Sequence, residues 1–274
     1  MTDLLTRWNK YSGTLLSNIK HHLHDICFVA RQSERKLINM VYAIGNLHGC
    51  YDKWQHMLKE IKFSDSDDMY VLGDTVDYSD ESMPLLFDMM ERHNVYPIMG
   101  EREYKFLSFV KNFPTKNGLE EFAKSLSPEN VPEFTKWIKD GGRTTFEGYM
   151  KLSADDKSAV LDYLDEFMLY DSCFAGDNEF VFTHSGIKNF NPDKSLDDYE
   201  IDDFLDVDIS ADTAYYNNKY MVVGHKPTFS ISAEYAGKIY KNKKFIDIDC
   251  GCYYHTAGGR LGCLRLDDFK EFYV

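Results

Sequence analysis

The sequence predicts an α/β fold: two packed mixed β-sheets with helices on their outer faces. Three observations carry this. From Met40 onward, short apolar runs alternate with longer amphipathic ones in a strand–loop–helix order. Each of the first three apolar runs ends in a glycine followed by charged or amide residues. After a helical middle, the last third of the 274 residues returns to short apolar runs, enough for a second sheet.

Met40 to Ile44 is a strand ending at Gly45, and Trp54 to Ile61 reads as a helix. Met69 to Leu72 is a second strand ending at Gly73, with a helix over Met83 to Arg92. Val95 to Met99 is a third, ending at Gly100, with a helix over Tyr104 to Val110. The polar groups after these glycines fall on loops at the carboxyl edge of one sheet, where open α/β sheets bind their ligands. Leu119 to Met168 is helical and contains Asp140-Gly-Gly142. Strands follow at Glu179 to Thr183, Tyr220 to Val223, Lys244 to Ile248 and Gly262 to Leu266.

Residues 1–39 are mixed and slightly basic (Arg7, Lys10, Lys20, Arg31, Arg35, Lys36), whereas the remainder is strongly acidic. Residues 1–39 are therefore read as an N-terminal extension, helical over Leu15 to Ala30 or partly ordered, and 40–274 as one domain. His21, His22 and His24 read as a solvated face. A hydrophobic content of 43% with 15% aromatics indicates a folded core rather than disorder. The formal charge of −14 argues against broad attraction to nucleic acid or anionic lipid. No apolar run is long enough to span a membrane and no signal-peptide pattern opens the chain, so a soluble cytoplasmic protein is expected. The six cysteines form no CxxC pair, and they read as scattered, mostly buried free thiols.

Five loop segments carry the chemistry: Gly45-Asn-Leu-His-Gly49, Gly73-Asp-Thr-Val-Asp77, Gly100-Glu-Arg-Glu103, Thr183-His-Ser-Gly186 and Gly224-His-Lys-Pro227. Each offers an imidazole, carboxylate or amide at a strand end, which is what a divalent cation needs. Asp74 follows His48 by 26 residues and Gly100 follows Asp74 by another 26, one strand–helix unit each, so the three loops emerge side by side.

In order, these segments resemble the GDxHG, GDxxDRG, GNHE, HxG and GHxP signature of phosphoprotein phosphatases and bacterial diadenosine tetraphosphatases, within the calcineurin-like metallophosphoesterases. The resemblance runs from Met40 to about Asp268, and Asp140-Gly-Gly-Arg-Thr-Thr145 and Ile246-Asp-Ile-Asp-Cys-Gly251 match the bacterial branch. It implies the four-layer αββα sandwich and a reaction using two metal ions, bridged by an aspartate and by a water or hydroxide that attacks phosphorus in line. Carried over, Asp74 bridges the ions, His48 and position 46 ligate the first, and His184, His225 and position 101 ligate the second. Asp77 orients the group at position 102. Mn2+ is the expected metal, with Fe, Zn or Mg as alternatives.

Four positions depart from the signature. Asn46 stands for an aspartate ligand, Glu101 for an asparagine ligand, Arg102 for the histidine that protonates the leaving group, and Tyr78 for a phosphate-binding arginine. A fifth departure lies at Phe204 to Asp208, acidic where relatives often carry another such arginine. These read as two exchanges: one carboxylate moves from position 46 to 101, and one guanidinium from 78 to 102. The exchange predicts a weakened first site and an intact second one. Arginine is a poor proton donor at neutral pH. The acidic run Asp197 to Asp212 reads as a solvated loop near the site mouth.

Two functions are compatible with these residues. One is a hydrolase acting on phosphomonoesters or nucleotide phosphoanhydrides, its substrate a phosphorylated small molecule, nucleotide or phosphoprotein. The other is a pseudophosphatase that binds metal or a phosphorylated partner with little turnover. Retention of Asp74, Asp77, His48, His184 and His225 favours the first, and the changes at 46, 78, 101 and 102 the second.

Overall fold

The computed structural model describes residues 39–111, 119–210 and 212–274. The segment Leu15 to Ala30 and the His21, His22, His24 group lie outside the described residues. Two five-stranded sheets form the centre. In the first, β1 (Val41–Ile44), β2 (Asp68–Val71) and β3 (Val95–Pro97) are parallel, and β9 (Gly262–Arg265) and β10 (Lys270–Tyr273) continue antiparallel from β1. In the second, β5 (Asn178–Thr183), β6 (Tyr220–Val223) and β8 (Phe245–Asp247) are parallel between antiparallel edges β4 (Tyr170–Ala175) and β7 (Tyr240–Asn242).

Strand alternation sorts the core into layers. Val41, Ala43, Tyr70 and Leu72 on one sheet meet Phe180, Phe182, Val222 and Ile246 on the other, and Tyr70 stacks on Phe182 at 4.0 Å. The opposite faces of the same strands turn outward. Tyr42, Ile44, Met69 and Val71 pack under helices α1 (Tyr51–Ile61) and α2 (Ser82–Met90), and α3 (Glu101–Val110) joins the same cluster. The helical middle comprises α4 (Leu119–Ser125), α5 (Val131–Trp137), a π-turn at Ile138–Gly142, α6 (Arg143–Met150) and α7 (Ala154–Asp165). The second sheet's outer face is covered more thinly, by the one-turn α8 (Asp202–Leu205), 3₁₀ turns and side chains such as Tyr199 and Phe204. This is the four-layer sandwich the sequence predicts.

Three strands, β4, β7 and β10, were not predicted. Helix α1 starts three residues earlier than expected, at Tyr51. Helix α3 likewise starts at Glu101 rather than Tyr104, because Gly100 sits at its N-cap and the Glu103 carboxylate reaches back to accept from Gly100 N at 3.0 Å. Glu101, Arg102 and Glu103 therefore lie on the first helical turn, not on a loop as predicted. Among the described residues no helix is long and apolar enough to cross a membrane. Of the cysteines in those residues, Cys173, Cys250, Cys252 and Cys263 are buried and Cys50 is half-buried, all as free thiols.

Candidate metal centre

The parallel strands of both sheets end at one joined edge. Backbone bonds tie the loops within each sheet, from His48 N to Asp74 O (2.9 Å) and from Gly224 N to His184 O (2.8 Å). Two more cross between the sheets: His184 Nδ1 donates to Leu72 O at 2.7 Å, and His225 N donates to Asn46 Oδ1 at 2.9 Å. The chain bends sharply to reach these positions. Asn46, His48, Asp74, Asp77, Tyr78 and His225 all adopt left-handed φ angles, between 44° and 80°. Gly100 is required beside them, since a Cβ there would lie 2.2 Å from Asp74 N.

Among the described residues, one group of His, Cys, Asp or Glu side chains is arranged to hold a cation: Asp74, His184 and His225, with ligand atoms within 4.8 Å of one another. The hydrogen bonds fix what those atoms present. Leu72 O is only an acceptor, so His184 carries a proton on Nδ1, and in the neutral ring Nε2 is left as a lone pair. That Nε2 faces Asp74 Oδ1 at 3.3 Å and His225 Nδ1 at 3.1 Å. His225 Nε2 lies 3.0 Å from Asp206 Oδ1, and a proton held between them leaves Nδ1 as a lone pair too. Three electron-rich atoms thus point at one another with no proton between them, an arrangement that fits a divalent cation.

The protonation states agree. Burial alone would raise the Asp74 pKa, but His184, His48, His225 and Arg102 hold it at about 2. Burial pushes His48 down to about 4, and burial followed by the proximity of His184 lowers His225. Neutral imidazoles and an ionised carboxylate are what metal ligation requires at neutral pH.

The other expected residues sit around this cluster in different ways. His48 is buried, donates from Nδ1 to Val76 O at 3.3 Å, and keeps Nε2 as a lone pair. Asn46 is fully buried, and its amide is oriented by the His225 N–H. Its oxygen spends one of its two lone pairs on that bond, and its NH2 turns toward Asp74 Oδ2 and His225 O, both at 3.4 Å. The Glu101 carboxylate accepts from Lys105 at 2.6 Å, one helical turn away along α3.

Arg102 donates from its backbone to Asp74 Oδ1 at 3.1 Å, but its guanidinium reaches sideways. Nη1 bonds Asp140 O and Oδ2 at 3.0 and 2.9 Å, and Nη2 bonds the Tyr78 hydroxyl at 2.8 Å. Nη1 also lies 3.9 Å from Asp77 Oδ2. Tyr78 and Arg102, the two positions of the guanidinium exchange expected from the sequence, are thus joined by a hydrogen bond. The Tyr78 ring packs edge-on against His48 at 5.0 Å, stacks on Tyr253 at 4.9 Å and rests against Gly141. Asp77 accepts from Trp137 Nε1 (2.8 Å) and Thr145 Oγ1 (2.7 Å), while burial pushes its carboxyl up to about 7. An open cavity of about 450 Å³ adjoins these groups, lined by Tyr78, Tyr253, Lys139 and Arg143 among others.

Two contributors escaped the sequence reading. Glu103 is fully buried and gathers five donors: Asp74 N, Thr75 N, Thr75 Oγ1, Val76 N and Gly100 N, at 2.7–3.1 Å. It holds the Asp74 loop to the start of α3. Its place at the end of the Gly100–Glu103 segment was visible in the sequence, but not its burial. Asp206 belongs to the acidic run and lies at the site mouth as expected there, yet its contact with His225 left no sequence signal.

A double sheet that presents one carboxylate and two imidazoles at its joined carboxyl edges is a scaffold suited to holding a divalent cation. The family model described as calcineurin-like phosphoesterase matches residues 40–249. The chain belongs to that family. It is 27% identical over 101 residues to the symmetrical bis(5'-nucleosyl)-tetraphosphatase of Nitrosococcus oceani. With the enzyme of the same description from Aggregatibacter actinomycetemcomitans it shares 41% over 100 residues. Each match spans 36% of this chain and 36% of the relative, little more than a third of either length. The solved structure of a candidate diadenosine tetraphosphatase superposes with a TM-score of 0.57 at 17% identity, over 87% of this chain and 94% of that one. A Saccharomyces cerevisiae serine/threonine phosphatase with similarity to human PP5 gives 0.53 at 12%, over 88% and 80%. At these identities the two structures establish the shared fold.

Proposed function

We propose that this chain is a metal-dependent phosphoesterase acting on phosphomonoesters or nucleotide phosphoanhydrides, with residues 40–274 as the catalytic unit. The observation that carries the reading is the convergence of three lone pairs from Asp74, His184 and His225 on one point. A divalent cation bound there, Mn2+ in our reading, supplies a water of lowered pKa and a clamp for phosphoryl oxygens. The protein's own groups do the rest. Asp74 brings the charge, held ionised by its neighbours. His184 and His225 bring ring nitrogens, each ring having an acceptor on its far side to hold a proton away from the centre.

The two cation sites are unequal in this reading. A second ion would rely on His48 and Asp74, with Asn46 in place of a carboxylate. The Asn46 oxygen is already engaged by His225 N–H, and its amide hydrogens face Asp74. Glu101, as paired with Lys105, adds no donor to the cluster. The carboxylate exchange suggested by the sequence therefore weakens the first site without strengthening the second, and titration should give one tight and one weak ion. Arg102 has no proton to lend at neutral pH. Against the effect of burial, Asp74, Tyr78 and Asp140 push its pKa above even the usual arginine value. Substrates whose leaving group needs no proton are accordingly favoured, namely aryl phosphates and phosphoanhydrides. The neighbouring cavity, with two tyrosine rings and two cationic side chains, suits a nucleoside polyphosphate.

The test is hydrolysis of an aryl phosphate with added Mn2+ by wild type and Asp74→Asn, with bound metal measured on both. The expected outcome is Mn2+-dependent turnover that the variant abolishes together with its metal. An inert wild type that still holds Mn2+ would replace this reading with a binding protein. Arg102, locked to Asp140 and Tyr78 where a proton donor is expected, is the observation on that side.

A further inference from the structure

We propose that Asp206 is a positioning residue for the cation site: its carboxylate selects the tautomer of His225 that leaves Nδ1 open to a metal. The inference rests on the functional reading above and adds a residue to it.

His225 has two neutral tautomers, and its surroundings offer a partner for each. With the proton on Nδ1, the ring would donate to His184 Nε2 only 3.1 Å away. That bond would consume both lone pairs and close the site against a cation. With the proton on Nε2, the ring donates outward to Asp206 Oδ1 at 3.0 Å, and both lone pairs remain turned inward toward Asp74. A carboxylate is the stronger acceptor, since a hydrogen bond to an ionised group is about twice as strong as one between neutral groups. The open tautomer therefore wins because Asp206 is there. A ligating histidine held from behind by a carboxylate is a general device for fixing ring orientation and raising basicity.

The protein builds this contact rather than leaving it to a loose loop. Asp206 directly follows α8, and the buried Ser185 hydroxyl ties down both sides of the turn that carries it. Ser185 Oγ donates to Phe204 O at 2.6 Å and accepts from Val207 N at 3.1 Å. Ser185 is also the residue after His184, so the turn is anchored to the very strand end that supplies the second imidazole. Lys226 approaches the same Asp206 oxygen at 3.7 Å from the neighbour position of His225. The acid is thus held between the two histidine loops. Asp208, two residues on, reaches only Lys226 among these groups and serves as a control.

The experiment uses the full chain, labelled with 15N-histidine and stripped of metal. Long-range 1H–15N spectra report which ring nitrogen bears the proton, with His225→Gln identifying the signals. Wild type should show His225 protonated on Nε2. Asp206→Ala should move the proton to Nδ1, whereas Asp206→Asn, a neutral acceptor that competes with His184 on equal terms, should leave both tautomers populated. In calorimetric titration with Mn2+ alone, Asp206→Ala should lose about 10–100-fold in affinity. Asp206→Asn should lose less, and Asp208→Asn nothing. A His225 that stays protonated on Nε2 in Asp206→Ala, or wild-type His225 already protonated on Nδ1, overturns the proposal. A wild type that takes up no Mn2+ but shows the tautomer change sinks the functional reading and supports only the selection of the His225 tautomer by Asp206.

Discussion

Replacing Glu103 by glutamine tests how the Asp74 loop is held. The change keeps the shape of the side chain and one of its two acceptor oxygens. In the favourable orientation the glutamine carbonyl takes the place of Oε1, retaining Thr75 N, Thr75 Oγ1 and Val76 N. Its NH2 then faces Asp74 N and Gly100 N, which had bonded Oε2 at 2.9 and 3.0 Å. Two buried donors lose their acceptor, at roughly 1–3 kcal/mol each, so the expected cost is about 2–6 kcal/mol. The flipped orientation strands three donors and is worse. Since domains are stable by only about 5–15 kcal/mol, this is a large share. Urea unfolding followed by tryptophan fluorescence would read it as a lower midpoint at unchanged slope. Glu101→Gln, on the same helical turn but paired with Lys105 at the surface, should cost no more than about 1 kcal/mol. A Glu103→Gln protein within about 0.5 kcal/mol of wild type, as for an ordinary surface change, would refute the reasoning.

Asp77 gives a pH signature. Burial raises its folded pKa to about 7, so the native state binds the extra proton and this contribution to stability is lost as pH rises through that value. Unfolding measured at pH 5.5 and 8 should therefore move in favour of Asp77→Asn, relative to wild type, at the higher pH. Gly141 has φ of +97° and its Cβ would meet the Tyr78 ring at 2.7 Å; Gly141→Ala should cost about 1–3 kcal/mol in thermal unfolding and raise KM as Tyr78 and Arg102 shift. Arg102→His places a titratable donor beside Asp77, and the rate on a phosphoserine peptide relative to an aryl phosphate should rise by about 10²–10⁴.

The three strands absent from the sequence reading share one property: β4, β7 and β10 are all sheet edges. Edge strands carry charge that discourages pairing with other chains, and charge hides them from a search for apolar runs. Lys241 in β7 and Lys270 and Glu271 in β10 do this, while Asp171 and Ser172 interrupt β4. The central strands, buried on both faces, were legible for the opposite reason. At the site, residues at strand ends were found because a glycine announces each end. What the sequence could not convey was direction: that the Asn46 amide turns its hydrogens inward, or that Glu101 leans along α3 toward Lys105. Asp206 was read only as part of a solvated run because its partner lies 19 residues on.

The left-handed backbone at the sheet edge has a consequence for how the site can change. Six side chains there sit where glycine would be more comfortable, and such positions typically cost about 1–3 kcal/mol each, less for Asn and Asp. Replacement by glycine at 46, 48, 74 or 225 relieves that cost while deleting an imidazole, amide or carboxylate from the centre. Yet glycine would relieve the strain only by giving up the hydrogen bonds these side chains make, such as Asn46 Oδ1 with His225 N and Asp74 Oδ1 with Arg102 N. The strained backbone and the groups it presents are therefore bound to one another: neither can be changed without the other.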